Sequence, residues 1–419
     1  PRSDRRWQHR RVDRRRRAGL IKTGGGKLNL TGSNSYTGGT TISAGSLEGS
    51  TASLVGDITN NGSLIFDQPI DGTFAEAISG SGSLTKTGTG TLTLAGANTF
   101  TGTTTIEAGA ISVPALANLG GATSAIVLGG GATEGGLVYT GNTATLSRGF
   151  EVSAGGGRIE ATLVGQTLTV AGAIATAGSL TFGGAGNVQV TGGIGGNGSV
   201  VKSGPGTLLL GGVNIYAGTT TINQGVLQCS ATNLAGDILN NATLILDQTV
   251  DGSIGGSIAG SGQVIKAGAG KLTLTGANTY TGGTTISAGI LEGNTTSLQG
   301  DVLNNASLIF DQPVDGTHSG AITGSGSVTK LGAGRLVLAG NSSYSGGTSL
   351  QTGTLGIGSD AALGTGALTM AAGTAVEAVG GSRTVANALI LNGSVTFSGS
   401  QDLTFTDTTP VVVPSGRVL

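Results

Sequence analysis

The sequence predicts an all-β protein, a parallel β-helix (β-solenoid) in which short strands stack turn upon turn. Three observations predict it: one stretch that occurs five times, side chains that alternate with period two inside each copy, and abundant glycine. Gly accounts for 82 of the 419 residues, whereas charged residues make up 10% and aromatic residues 3%. Repeats of short alternating strands joined by glycine-rich corners are typical of solenoids.

The repeated stretch is clearest at 260–291, which runs GSGQVIKAGAGKLTLTGANTYTGGTTISAGIL. The other copies lie at 20–47, 80–111, 196–227 and 324–355. In the second copy, larger side chains occupy every second position of 91–94 and 103–106, which predicts two half-buried strands. Gly and Asn in the corner 95–102 allow the sharp bend between them, and 110–112 predicts a third strand. Each copy is therefore typical of a solenoid coil.

A lysine shared by the five copies gives their spacing. It stands at Lys22, Lys86, Lys202, Lys266 and Lys330, so the intervals are 64, 116, 64 and 64 residues. At about 20 residues per coil, one 64-residue unit makes about three coils, and the long interval at 112–195 adds two or three more. Over residues 18–409 we expect roughly nineteen or twenty coils, forming a single elongated rod on the order of 90 Å long.

Composition divides the chain into three predicted regions. These are an arginine-rich disordered stub at 1–17, the solenoid at 18–409 and a C-terminal tail at 410–419. The stub holds nine arginines against Asp4 and Asp13, a net charge of +7, and since the whole chain carries −1 the remainder carries −8. An acidic body does not favour nucleic acid, so no nucleic-acid partner is expected.

Residues that recur in every copy serve the repeat, because catalysis needs one centre in which the groups have unequal environments. We expect the shared lysines to be solvated or to bond backbone carbonyls. Acid pairs recur with the repeat and are expected to hold corners together. These pairs are Asp67 with Asp71, Asp247 with Asp251, and Asp311 with Asp315.

An asparagine and an aromatic residue also recur in the corner after the leucine-rich strand. The asparagines are Asn34, Asn98, Asn214, Asn278 and, one place early, Asn341. The aromatic residues are Tyr36, Phe100, Tyr216, Tyr280 and Tyr344. Packing within the corner is the expected role, and a stripe of aromatic rings that stacks on sugars is the alternative.

A few chemically active residues do not recur, and the acids singled out among them lie in the long interval. The candidates for a carbohydrate-active β-helix, a glycosidase or lyase, are Glu134, Glu151, Arg158 and Glu160. His9 and His318 are the two histidines, far apart in the chain, so no triad or zinc site can be assembled around a His pair. Cys229 is the one cysteine and is expected to be a tolerated substitution. We expect no catalytic, cofactor-binding or metal-binding site, and no enzyme.

The repeated text carries a family resemblance. Residues 82–106 and 262–286 resemble the autotransporter-associated β-strand repeat of bacterial type V secretion passengers, and 139–150 resembles the spacer text of such passengers. Substitutions within the pattern are Phe100 for Tyr, Thr103 for Gly, Val264 for Leu and Lys271 for Thr. The resemblance implies a right-handed parallel β-helix, secreted or displayed at the outer membrane of a Gram-negative cell.

The function that follows is a surface-displayed structural or adhesive passenger that binds a host-cell surface or glycan through its long faces without catalysis. The resemblance also implies a translocator barrel in the parent protein, outside this sequence. Two alternatives stay open: a carbohydrate-active β-helix, and a fragment of a larger gene without a function of its own. Since uncapped solenoid ends expose unpaired strand edges, end-to-end self-association is expected.

Overall fold

A computed structural model describes residues 18–413, in which there is no α-helix. The described residues form two compact units, 18–124 and 125–413, each a parallel β-solenoid and together of about 19 turns. The predicted fold class is thereby confirmed. The arginine-rich stub lies outside the described residues, and the single domain at 18–409 stays a prediction. At the tail, Ile390 pairs with Val412 in an isolated parallel bridge.

In the first unit each full turn crosses three sheets, here named N1, N2 and N3. Sheet N1 contains Leu20–Lys22, Thr40–Ile42, Ile58–Asn60 and Ile78–Ser79. Sheet N2 contains Lys27–Asn29, Ser46–Gly49, Ser63–Asp67, Ser83–Thr87 and Thr104–Ile106. Sheet N3 contains Gly72–Phe74, Thr91–Leu94 and Gly109–Val113. A short 3-10 helix, Leu116–Leu119, follows the last of these strands.

The second unit also has three faces, here named C1, C2 and C3, and a 3-10 helix, Ala231–Asn233. Face C1 contains Ile126–Leu128, Phe150–Val152, Ile174–Thr176, Ile194–Gly196, Ile215–Tyr216, Gly252–Ile254, Lys271–Leu274, Ile290–Gly293, Ser307–Asp311, Ser327–Leu331, Thr348–Leu350, Leu368–Ala371 and Leu389–Asn392. Face C2 contains Gly135–Tyr139, Gly157–Ala161, Leu180–Gly183, Val200–Lys202, Thr220–Ile222, Ile238–Asn240, Ile258–Ala259, Gly316–His318, Arg335–Leu338, Thr354–Ile357, Ala375–Ala378 and Thr396–Ser398. Face C3 contains Ala144–Leu146, Thr167–Val170, Asn187–Val190, Thr207–Leu210, Val226–Cys229, Thr243–Asp247, Gln263–Ala267, Thr284–Ile286, Val302–Asn304, Ile322–Thr323, Arg383–Val385 and Leu403–Phe405.

Parallel stacking places like side chains above one another inside each unit. Leu47 aligns with Leu64 on the next turn, and Leu64 aligns with Leu84 on the one after. All three are fully buried. Such aliphatic columns, with about 4.8 Å between strands, fill the interior of a narrow solenoid, so the chain needs few aromatic residues to form a core.

One 64-residue repeat spans three full turns and about a third of another, so it ends one face further around the solenoid. In the second unit Lys266 on C3 aligns with Ile286 and Asn304 on the next two turns. The third turn brings Gly324 to that position, whereas Lys330 lies six residues later, on C1. The spacing predicted about three coils per repeat. The extra third of a turn moves each successive copy to a different face.

This rotation explains where the sheets are interrupted. Face C2 stops after Ile258–Ala259 and resumes at Gly316–His318, and the gap contains the corner residue Asn278. Face C3 stops after Ile322–Thr323 and resumes at Arg383–Val385, and the corner of the last copy lies in that gap. The copies at 260–291 and 324–355 therefore each replace the strands of one face over two turns.

Candidate functional site

The corner asparagine takes the place of a missing strand. The side chain of Asn278 is buried, and its Oδ1 accepts a hydrogen bond from the Ile258 N–H at 2.8 Å. Its Nδ2 donates to the Ser297 carbonyl at 2.7 Å, so one side chain joins the turn before to the turn after. Asn98 and Asn214 make the same two bonds.

In the last copy the bridging position belongs to a serine. Ser342 Oγ accepts from the Ile322 N–H at 3.1 Å, as the asparagines do in the other copies. Asn341, which the sequence analysis aligned with the other asparagines, is exposed, and its Oδ1 accepts from the Ser359 hydroxyl instead. The geometric equivalent is therefore the next residue in the chain.

We expect Asn278→Ala to raise the rate of local opening around that corner. The change leaves the Ile258 N–H and the Ser297 C=O buried without partners, which costs about 2 to 3 kcal/mol. Asn278→Ser copies the last repeat and is expected to cost about half as much. Native-state hydrogen exchange of peptides around Ile258 gives both values. Equal exchange in wild type and Asn278→Ala would contradict the bridging role.

The recurring aromatic residues belong to the core. Phe100, Tyr216, Tyr280 and Tyr344 are at most 1% exposed, and Tyr36 is half-buried. The Tyr280 hydroxyl lies 2.7 Å from the hydroxyl of Thr284, and the other tyrosines form the same pair with a threonine four residues on. Corner packing is therefore their role, and the buried rings offer no stacking platform to a sugar.

The shared lysines are buried and bond backbone carbonyls, one of the two roles that the sequence analysis expected. Lys202 is 2% exposed. Its Nζ donates to the carbonyls of Ser203 and Gly204, each at 2.7 Å, and to that of Gln224 at 3.1 Å. The four other shared lysines each donate to three carbonyls in the same pattern. Each ammonium group thus closes a glycine-rich corner from inside.

Burial acts on the ionisation of these lysines. It lowers the pKa of Lys202 to about 8. Burial also lowers the pKa of Lys86 to about 8, although Asp67 and Asp71 act in the opposite direction. Both acids of this pair therefore help to keep the buried ammonium charged.

The second acid of each pair ties successive turns together. Asp71 Oδ1 accepts a hydrogen bond from the Thr91 N–H at 2.7 Å. Asp251 and Asp315 accept equivalent bonds from the N–H groups of Lys271 and Arg335. Since the arrangement recurs in both units, the second acid of each pair supports a corner of the repeat.

The non-repeated acids are not gathered at one point. Glu151 is exposed on face C1, whereas Glu160 lies on face C2, where its Oε1 is 3.7 Å from Arg158 Nε. Glu134 is exposed just before a C2 strand. A glycosidase needs two carboxyl groups about 5 to 9.5 Å apart across one bond. Glu151 and Glu160 lie on different faces, and Glu160 aligns with Val138, four positions along the chain from Glu134, so the strand register does not place these carboxyl groups side by side.

The remaining reactive residues point inward or lie outside the described part of the chain. Cys229 is buried, and burial raises the pKa of its thiol, which makes it unreactive. His318 is also buried, and His9 lies outside the described residues. Across residues 18–413 no cluster of three His, Cys, Asp or Glu side chains is placed to hold a metal ion.

Comparison with known proteins identifies the repeat. Five segments match the family described as the Passenger-associated-transport-repeat, namely residues 20–48, 84–113, 200–228, 264–292 and 328–357. The chain is 32% identical over 445 residues to the Adhesin BmaC autotransporter of Brucella suis biovar 1 (strain 1330). The chain is an autotransporter passenger region. The alignment covers 92% of the passenger region and 11% of that relative's length. No solved structure matches the passenger region.

The five matched segments coincide with the five copies found in the sequence, which confirms the resemblance. Within the described residues of the passenger region, none of the helices has the length and apolar character to cross a membrane.

The passenger region also presents a repeated surface feature that sequence patterns did not reveal. Ile70, Val250 and Val314 occupy the same position of the repeat and are 75%, 68% and 67% exposed. Each stands in the loop between the two acids of a pair. The sequence shows that residues of these loops recur, but only the fold shows that the aliphatic side chains are exposed.

These loops have a defined backbone. The Gln312 side chain is buried and donates to the Val314 carbonyl at 2.7 Å, and Gln68 donates to the Ile70 carbonyl at 2.8 Å. The aliphatic side chain is therefore held outward by hydrogen bonds beneath it, beside two carboxylates.

Proposed function

We propose that this passenger region is displayed at the cell surface and acts as a non-catalytic adhesive element that binds a host-cell surface or its glycans. The similarity to an adhesin autotransporter over 92% of the chain carries this proposal. The geometry supports it, because each unit presents long stacked faces and the non-repeated acids lie apart. Each further copy of the repeat faces another direction, so a surface could be engaged from any side.

We propose that the contact points are the exposed aliphatic residues in the loops between the two acids of each pair, here called acid loops: Ile70, Val250 and Val314. They recur, they are preorganised, and apolar side chains at the centre of a contact contribute most of its binding energy. One such loop gives a weak contact. Many chains on one cell give strong attachment through multivalency, and loops that face different directions let a chain engage the surface in more than one orientation.

Beads coated with the full chain test this proposal on cultured epithelial cells and on immobilised polysaccharides. Wild-type beads are expected to bind, and the triple variant Ile70→Ser, Val250→Ser, Val314→Ser is expected to bind at least about tenfold less, with each single change costing about threefold or less. The matched control carries Val164→Ser, Val213→Ser and Ile215→Ser, three equally exposed positions outside these loops.

Two outcomes would contradict the proposal. Wild-type beads that attach to neither surface would refute adhesion. Equal loss in the triple variant and in its control would show that general apolar exposure, and not the repeated loops, drives attachment.

A further inference from the structure

His318 is a titratable side chain inside the core of the second unit. It ends the strand Gly316–His318 and is 3% exposed. Its ring packs against Phe310 with the ring centroids 5.1 Å apart, and it forms a hydrogen bond with the backbone of Leu298. Among the described residues Nε2 has no hydrogen-bond partner, so Nδ1 makes that bond and carries the proton of the neutral ring.

The core does not require histidine at this position. Three segments carry an acid pair and align with one another, and they are here called blocks: 56–94, 236–274 and 300–338. The residues equivalent to His318 in the other two blocks are Phe74 and Ile254. In the first unit Phe74 packs against Phe66 with the ring centroids 5.2 Å apart, in nearly the same arrangement as His318 and Phe310. Histidine therefore adds to the second unit a titratable group where the first unit has an inert ring.

Little in the surroundings favours a charged imidazole. The charged groups on the segments packed against His318 are Asp301, Asp311, Asp315, Lys330 and Arg335. Lys330 is a buried cation, and the three acids are exposed. Burial lowers the pKa of His318 below 6.5, and this effect outweighs the hydrogen bond to the Leu298 backbone and the charge of Asp301, which both act to raise the pKa.

We propose that His318 makes its part of the solenoid acid-sensitive, so that uptake of a proton at Nε2 opens the surrounding turns while the rest of the chain stays folded. The imidazolium would bury a charge together with an N–H that has no acceptor. Since each turn of a solenoid contacts only its neighbours, such an opening stays local.

The pH window follows from the direction of the shift. The pKa of His318 is lower in the folded than in the unfolded state, where it is 6.5. The stability that the neutral ring provides is therefore complete above about pH 6.5 and is lost as the pH falls through the folded pKa.

Hydrogen exchange of the full chain between pH 7.5 and 4.5, corrected for the intrinsic exchange rate, tests the proposal. Peptides within 296–340 are expected to open up to about tenfold more for each pH unit between 6.5 and the folded pKa, the limit for one proton, with no further increase below the folded pKa. Peptides within 56–94, which hold Phe74 and the equivalent acids, are the internal control and should change much less.

His318→Phe and His318→Ile copy the residues of the other two blocks and should remove the response to acid without loss of folding at pH 7.5. The proposal is overturned if peptides within 296–340 respond to acid equally in these variants and in wild type. It is also overturned if wild type shows no difference between the two blocks.

Discussion

Gly289→Ala is expected to destabilise its turn by about 4 kcal/mol, the largest single-residue effect that we expect in this chain. Gly289 has φ of +70°, a conformation that costs alanine about 1 kcal/mol. A Cβ at this position would also lie 2.5 Å from the Gly268 carbonyl oxygen and 2.6 Å from that of Gly270. These atoms belong to the stacked turn beneath, so they cannot move aside without breaking the corner that Lys266 closes.

The control for this prediction is Gly165→Ala. Gly165 has φ of +75°, but a Cβ added there would have no atom within 4 Å. The conformational cost is thus shared by the two variants, and the clash is confined to Gly289. We expect about 1 kcal/mol for Gly165→Ala, measured by hydrogen exchange of the affected turn. Similar values for the two variants would show that stacking leaves more room at the corner than the structure indicates.

The fold could be predicted because the repeat carries its own signal. Alternation in Thr91–Leu94 gave a strand with these same bounds. Elsewhere the ends moved by a residue or two, as for the predicted strand 110–112, which is observed as Gly109–Val113. Local periodicity determines which side chains face inward, and this does not depend on knowing which strands pair.

The rotation of the repeat could not be predicted in this way. A turn contains 17 to 20 residues along face C3 between Leu208 and Ile322. The difference between three turns and three and a third turns therefore lies within the uncertainty of a rough estimate. Registers between stacked strands resolve it, because they show Lys266 on C3 and Lys330 on C1.

The second feature that could not be predicted from the sequence is which polar groups are buried. The sequence shows that Lys202 recurs beside glycines, but whether its ammonium lies in water or against carbonyls depends on how closely the next turn approaches. The same holds for His318, because nothing in the sequence indicates that this histidine stands in a packed core where the equivalent residue of the first unit is Phe74. Candidate contact points such as Ile70 were missed for the opposite reason, since an aliphatic residue is expected to be buried.

Lys202→Met is expected to destabilise its corner by about 3 kcal/mol at pH 7. Methionine fills nearly the same volume, so the change tests the ammonium group and not the packing. The carbonyls of Ser203, Gly204 and Gln224 converge on Nζ, and without a donor they lose their hydrogen bonds and repel one another. Burial lowers the pKa of Lys202, so these bonds recover only part of the cost of desolvating the charge. We expect the loss of three hydrogen bonds to buried carbonyls to exceed the part that is not recovered.

The matched control is Lys271→Met, at a lysine on the surface of the same unit. Its Nζ lies 3.2 Å from Glu292 in an ion pair, and its side chain is 35% exposed. Water can replace the lost partner, so we expect a change of about 0.5 kcal/mol or less in hydrogen exchange of its turn. If both variants lower the stability of their turns equally little, water reaches the carbonyls around Lys202 and the lysine does not stabilise its corner. A large difference would establish that the buried cation, and not the glycines alone, holds each corner of the repeat closed.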